Sequence, residues 1–257
     1  MTPIDDNVAM NVSENASLRA LLHADEVLCQ ELARLRFAPP VHTVYNPLEY
    51  AGAMHRRYVE TFAHVDVEVL FLGMNPGPFG MTQTGIPFGE IIAVREWMKL
   101  DAAIGKPAIE HPRRPIEGLA CTKSEVSGRR LWGLFKHRFG TPAAFFAKHY
   151  VANYCPLVFM EESGANRTPD KLPAAEARAL QTACDAHLFT LIKTLRPKWL
   201  IGVGVFAKKQ AEEALAEARI TTVKVGTILH PSPANPGANR DWGNQATKQL
   251  IELGIWH

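Results

Sequence analysis

A chain of 257 residues that is 47% apolar and 21% charged, with a net charge of +2, has the composition of a folded domain and excludes disordered, collagenous and membrane-spanning classes. No apolar run approaches the ~20 residues of a spanning helix. The polar, acidic start "MTPIDDNVAMNVSENAS" has the pattern of neither a signal peptide nor a transit sequence. A single domain is expected, with residues 1–15 a frayed tail.

In chain order, helical spacing covers 16–36 and 47–63, separated by "FAPP". Apolar, β-branched or aromatic runs then read as buried strands: "VEVLFLG" at 67, "YVANYCPL" at 150 and "KWLIGVG" at 198. A fourth, "TTVKVGTIL" at 221, alternates more and ends just before His230. Helices are expected over 90–100, 127–139, 174–195, 205–218 and 241–253. This alternation predicts an α/β fold whose parallel sheet is covered on both faces. Residues 101–126, basic and proline-containing, form an excursion within the domain.

Ligands of such sheets bind beyond the carboxyl ends of the strands. The segments there are "GMNPGPFG", "NYCPL", "GVGVFA" and "HPSPANPGANRDW". The first follows its strand as a phosphate loop would, but it lacks Gly-Lys-Ser/Thr, and Pro76 and Pro78 remove two N–H donors. "GVGVFA" fits a dinucleotide fingerprint only in part, because Thr221, Thr222 and Lys224 stand where an acidic residue belongs. Close strand–helix packing is the better account of its glycines.

The first loop instead offers a rigid platform, with Asn75 supplying a donor and an acceptor at the strand end. Phe88 of "IPFG" is placed to stack on a planar ligand, or to serve the core. His230 and Asn153 also sit at strand ends. Two amides and an imidazole can read a base edge and donate to a developing anion. No carboxylate lies in "GMNPGPFG", so a hydrolase built there has to orient its water without a strong general base. Cys29, Cys121, Cys155 and Cys184 form no C-x-x-C pair, and the ten histidines show no metal-ligand spacing. Buried free thiols and no metal are expected. Residues 111–138 carry seven bases against two acids, which is either a phosphate-facing surface or a solvated helix face.

"GMNPGPFGMTQTGIPFGE" followed by "HPSPANPGANRDW", with His230 155 positions after Asn75, resembles the paired motifs of the single-strand-selective monofunctional uracil-DNA glycosylases. "SEVSGRRLWG", "NYCPL", "TPDKLPA" and "GVG" match in the same order, so the likeness covers about residues 65–255. It implies a three-layer sandwich around a short, mostly parallel four-stranded sheet, and an enzyme that flips a base from DNA and hydrolyses its glycosidic bond. By this resemblance Asn75 orients water, His230 donates to uracil O2, Asn153 pairs with the base edge, Phe88 stacks on the ring and Met74 lends backbone contacts. Gly77, without a side chain, implies tolerance of 5-hydroxymethyluracil.

Arg113, Arg114, Lys123, Arg129 and Arg130, with Ser124 and Ser127 of "SEVSGRRLWG", would then bind phosphates. The stretch after His230 would act as a wedge. Ala234 stands where a relative would often carry arginine, so single strands or mismatches should be favoured, with Asn235, Pro236, Asn239 and Arg240 completing the surface. The resemblance implies DNA as partner and uracil as product; no cofactor is expected, nothing demands more than a monomer, and the polar start suits a cytoplasmic or nuclear location. A silent DNA-binding module of the same fold and a nucleotide-binding enzyme using "GVGVFA" are the alternatives.

Overall fold

A computed structural model describes the chain from Asp6 to His257, with side chains from Asn15 onward. It begins with α1 (Asp6–Ala33), β1 (Thr43–Tyr45), α2 (Pro47–Tyr50), α3 (Gly52–Phe62), β2 (Val69–Gly73) and α4 (Met81–Thr84). A π-helical turn (Ala93–Met98) and the basic excursion lead to α5 (Val126–Phe139) and α6 (Pro142–Phe146). There follow β3 (His149–Asn153), β4 (Val158–Met160), β5 (Asn166–Arg167) and α7 (Ala174–Leu195). The chain closes with β6 (Trp199–Val203), α8 (Val205–Glu217), β7 (Lys224–Ile228) and α9 (Ala238–Glu252).

The four strands expected from the sequence pair as one parallel sheet in the order β3-β2-β6-β7. Every residue of β2 and β3 is buried, which is why they read as continuous apolar runs rather than alternating ones. Side chains leave the two faces in turn. On one face Phe71 packs 5.1 Å from Phe135 of α5 and 6.4 Å from Phe145 of α6. Tyr150 on the other lies 5.3 Å from Tyr58 of α3. The buried Tyr58 hydroxyl donates to Val151 O at 2.9 Å, so its polar end is satisfied inside the core.

Several elements differ from expectation. The helix expected to start at 16 starts at Asp6, so residues 6–15 of the expected tail are helical, while 1–5 lie outside the described residues. A helix expected over 47–63 breaks at Ala51, and the one over 90–100 is largely π-helical. The short α4 and α6 were not anticipated, nor was a second, antiparallel sheet of order β1-β4-β5. That sheet holds the basic excursion in place. Tyr45 Oη donates to Arg114 O at 2.9 Å, Arg114 Nε donates to Gly164 O at 2.8 Å, and His111 Nε2 lies 3.1 Å from Glu161 O. Among the described residues no helix is long and apolar enough to cross a membrane.

Candidate active site

Parallel pairing puts the carboxyl ends of all four strands on one edge, with Gly73 in register with Asn153. A Cβ on Gly73 would overlap Asn153 Oδ1 and lie 2.6 Å from Phe88 Cε2. The glycine therefore lets an amide and an aromatic ring meet over the end of the central strand. Beyond it opens a cavity of about 440 Å³ whose lining includes Met74, Asn75, Gly77, Phe88, Asn153 and His230. All six residues singled out for the base and its chemistry are thus in one place.

Each polar side chain is held in a defined orientation. Asn75 Nδ2 donates to Leu157 O at 3.1 Å, which leaves its Oδ1 as an acceptor. Asn153 Nδ2 rests on Met81 Sδ at 3.2 Å, while its buried Oδ1 has no partner. Such an unpaired acceptor carries a cost that a ligand donor would remove. The Ser232 N–H donates to His230 Nδ1 at 3.1 Å, so the neutral ring carries its proton on Nε2. Burial holds the His230 pKa below the ordinary histidine value, because a charged ring loses its hydration there.

The glycines of "GVGVFA" have packing roles, as the sequence suggested. A Cβ on Gly202 would collide with the Lys208 backbone, and one on Gly204, at φ 96°, would lie 3.1 Å from His230 Cβ. Phe88 is strained: its φ is 53°, which costs roughly 1–3 kcal/mol for a residue with a side chain. The surroundings enforce it. Glu90 N donates back to Phe88 O at 2.6 Å, and Trp132 Nε1 donates to Pro87 O at 3.3 Å.

Buried polar residues of α4 fix the opposite wall. Gln83 Nε2 donates to Pro78 O and Pro115 O at 3.3 and 3.1 Å, and its Oε1 accepts from Glu117 N and Gly118 N at 2.8 and 3.1 Å. One amide side chain therefore ties the Asn75 loop to the excursion. Thr84 Oγ1 donates to Gly89 O at 3.0 Å, and Thr82 Oγ1 donates to Gly77 O.

The basic residues divide by how they are engaged. Lys123 Nζ and the Arg114 guanidinium lie 5.1 and 5.4 Å from the centre of the Phe79 ring, beside the cavity that Phe79, Ser124 and Ser127 line. Arg113 is exposed and reaches Ser163 O at 3.5 Å; Arg129, also exposed, contacts Ser124 Oγ at 3.4 Å. Arg130 is occupied within the protein, donating to Pro231 O at 2.8 Å and Asn239 Oδ1 at 2.9 Å. Past His230, Ala234, Pro236, Asn239 and Arg240 are exposed and Asn235 is half-buried.

Sequence reasoning missed Glu125. Its carboxyl lies against Gly77 and Gly80, and burial pushes its pKa up to about 7. The one available signal was an acidic residue in "SEVSGRR", just ahead of a helix. Among the described residues no cluster of metal-ligating side chains is present. Cys121, Cys155 and Cys184 are free and buried, whereas Cys29 is free and only half-buried.

The sequence profile of the Uracil DNA glycosylase superfamily matches residues 60–251, and the chain belongs to that superfamily. It is 47% identical over 225 residues to the single-strand selective monofunctional uracil-DNA glycosylase of Rattus norvegicus, covering 88% of this chain and 81% of the relative. The Bos taurus protein of the same name is 46% identical over 228 residues, covering 89% and 84%. A crystal structure of wild-type SMUG2 from Pedobacter heparinus superposes with a TM-score of 0.61 at 18% identity, covering 90% of this chain and 96% of the other. At that identity the superposition speaks for a common fold.

The tautomer of His230 is directly measurable. Nitrogen-15 NMR at neutral pH should show Nε2 protonated and Nδ1 bare, with the ring titrating below the ordinary histidine range. A doubly protonated ring at pH 7 would contradict the assignment.

Proposed function

We propose that this protein is a monofunctional uracil-DNA glycosylase, which takes a uracil flipped from a DNA strand and hydrolyses its bond to deoxyribose. The observation that carries the reading is the convergence of Asn75, Phe88, Asn153 and His230 on one cavity, with their hydrogen-bonding atoms oriented as described. Asn153 Oδ1, unpaired and buried, suits the N3–H of uracil, and its Nδ2 suits O4. Cytosine offers an acceptor at N3 and is rejected. Phe88 supplies the stacking face.

Cleavage breaks the C1′–N1 bond heterolytically, and the electron pair leaves with the base as an anion spread towards O2. His230 Nε2–H donates there. Because the imidazole is neutral, it stabilises the anion through a hydrogen bond rather than by proton transfer. Asn75 Oδ1 accepts from a water whose oxygen bonds to C1′ as positive charge grows on the sugar. The water's proton is then released. Among the described residues no lysine lines the cavity, so the reaction ends at an abasic site without a Schiff base.

A single-stranded oligonucleotide containing one uracil, incubated with the protein and then treated with alkali, tests this reading. Wild-type protein should cut it, faster than a fully paired duplex, because Ala234 is a small wedge and unstacking is costly. His230→Leu should lower the rate about 10²–10³-fold, the usual loss for one such donor, with an unchanged melting temperature. Asn75→Ala should also be slow. Binding without cleavage by the wild type would favour the silent DNA-binding module.

Gly77, whose Cβ would meet Glu125 Oε1 rather than the base, gives a wall without a side chain of its own beside the base's 5-position, and a hydroxymethyl group can replace the hydrogen bonds of an ordered water there whereas a methyl cannot. Excision of 5-hydroxymethyluracil should therefore exceed that of thymine in matched strands. Equal rates would remove Gly77 from the account of selectivity. The exposed Arg113, Lys123, Arg129 and Arg240 would meet phosphates, so affinity for a single strand should fall steeply with salt. A salt-independent affinity would return these residues to a solvated face.

A further inference from the structure

Glu125 has no part in the roles above, yet its carboxyl lies directly against Gly77 and Gly80. A Cβ on Gly77 would sit 2.5 Å from Glu125 Oε1, and one on Gly80 would overlap Oε2. A Cβ on Gly128 of α5, which would collide first with Phe88 O, would also lie 3.1 Å from the same Oε2. Three glycines thus form a slot as thick as a carboxyl group. Glu125 also lines the cavity. The residue as a whole is half-buried, but Oε2 is shut off from solvent and has no hydrogen-bond partner.

The groups around this carboxyl leave it without a counter-charge. Glu90 approaches from the segment after Phe88, itself held by Ser124 Oγ at 3.0 Å and Ala93 N at 3.1 Å. On the helix side Arg129 is turned to Ser124 Oγ, and Lys123 lies over Phe79. His230 lines the same cavity and is neutral. From the loop, the Gly77 N–H favours the ionised carboxylate, while burial and the Glu90 charge oppose it, burial most strongly. An ionised carboxylate with an unpaired buried oxygen is far more costly than a neutral carboxyl.

We propose that Glu125 is a positioning residue of this pocket: its carboxyl fills the slot between Gly77, Gly80 and Gly128, sets the loop that carries Asn75, and serves excision in its neutral form. The inference rests on the base-excision reading above. Negative charge develops on the departing base in this cavity, and a second negative charge on its lining would oppose it in a medium of low dielectric. A neutral carboxyl fills the same space without that penalty. This also explains why glycine is needed at both 77 and 80, since either side chain would displace the carboxyl.

Glu125→Gln keeps the size of the group and removes its titration. Single-turnover excision of uracil from a single strand, followed across pH, should fall about tenfold for wild-type protein between about pH 6 and about pH 8, as expected when one essential proton is lost. The Glu125→Gln rate should stay level over that range. Glu125→Ala, which empties the slot, should be slow at every pH. An equal alkaline fall in wild type and Glu125→Gln would overturn the proposal.

Melting of the same proteins without DNA gives a readout independent of activity. With its pKa raised from 4.5 to about 7, Glu125 binds more protons folded than unfolded, so its contribution to stability falls as pH rises through that window. The melting temperature of Glu125→Gln should therefore gain on wild type from about pH 5 to about pH 8. Should the variant not fold, carbon-13 NMR of the wild-type carboxyl decides: a midpoint in the ordinary glutamate range overturns the proposal. Wild-type protein inactive on uracil at every pH would instead overturn the base-excision reading, and the melting comparison would still show whether Glu125 is held neutral.

Discussion

Gly73 ends the central strand, and the space its missing side chain leaves is filled by the Asn153 amide and the edge of Phe88. The parallel register that faces Gly73 with Asn153 makes this meeting possible, and the turn that gives Phe88 a positive φ completes it. Strand pairing, loop strain and pocket shape are therefore one problem. A larger residue at position 73 would not merely narrow the cavity; it would separate the two side chains that define its floor.

The interior and the rim of the site use opposite electrostatics. Inside, two amides and a neutral imidazole offer directed donors and acceptors with no formal charge, which suits a ligand that enters neutral and leaves as an anion. Positive residues such as Arg113, Lys123 and Arg129 are exposed outside this layer, where they would remain hydrated until a phosphate arrived. Were those charges inside, they would bind the product anion as firmly as the transition state. Keeping them outside would separate holding the strand from breaking the bond.

Much of this was legible in the chain because long-range order rested on strong local signals. Strands β2 and β3 are buried throughout and β6 nearly so, and they appear as unbroken apolar runs, whereas β7 at the sheet edge alternates; Asn75, Asn153 and His230 follow or end these strands. The remaining parts were illegible for identifiable reasons. The four residues of α4, "MTQT", have no apolar stripe, and their burial is stabilised by hydrogen bonds to loop carbonyls and N–H groups distant in sequence. Strands as short as β1 and β5 offer too few residues for a period to show. Glu125 reads as a residue near a helix start, and its environment is created by glycines in a loop far upstream. Residues 6–15, whose polarity resembles that of a frayed end, lie in a helix, because polar residues are compatible with helix.

Arg130 bridges α5 to Pro231 and Asn239, and Asn239 Nδ2 in turn donates to Pro233 O at 2.8 Å. Asn235 Oδ1 accepts from Gly237 N at 3.1 Å, closing a further turn in the same stretch. The segment after His230 is thus arranged in the protein alone. Ordering a backbone residue costs about 1–2 kcal/mol of entropy at ambient temperature, and here that loss is incurred as the chain folds rather than when a strand arrives. An encounter with DNA at this segment would accordingly begin from a surface with little conformational freedom left to surrender, and the arginine that secures this is already engaged with the protein.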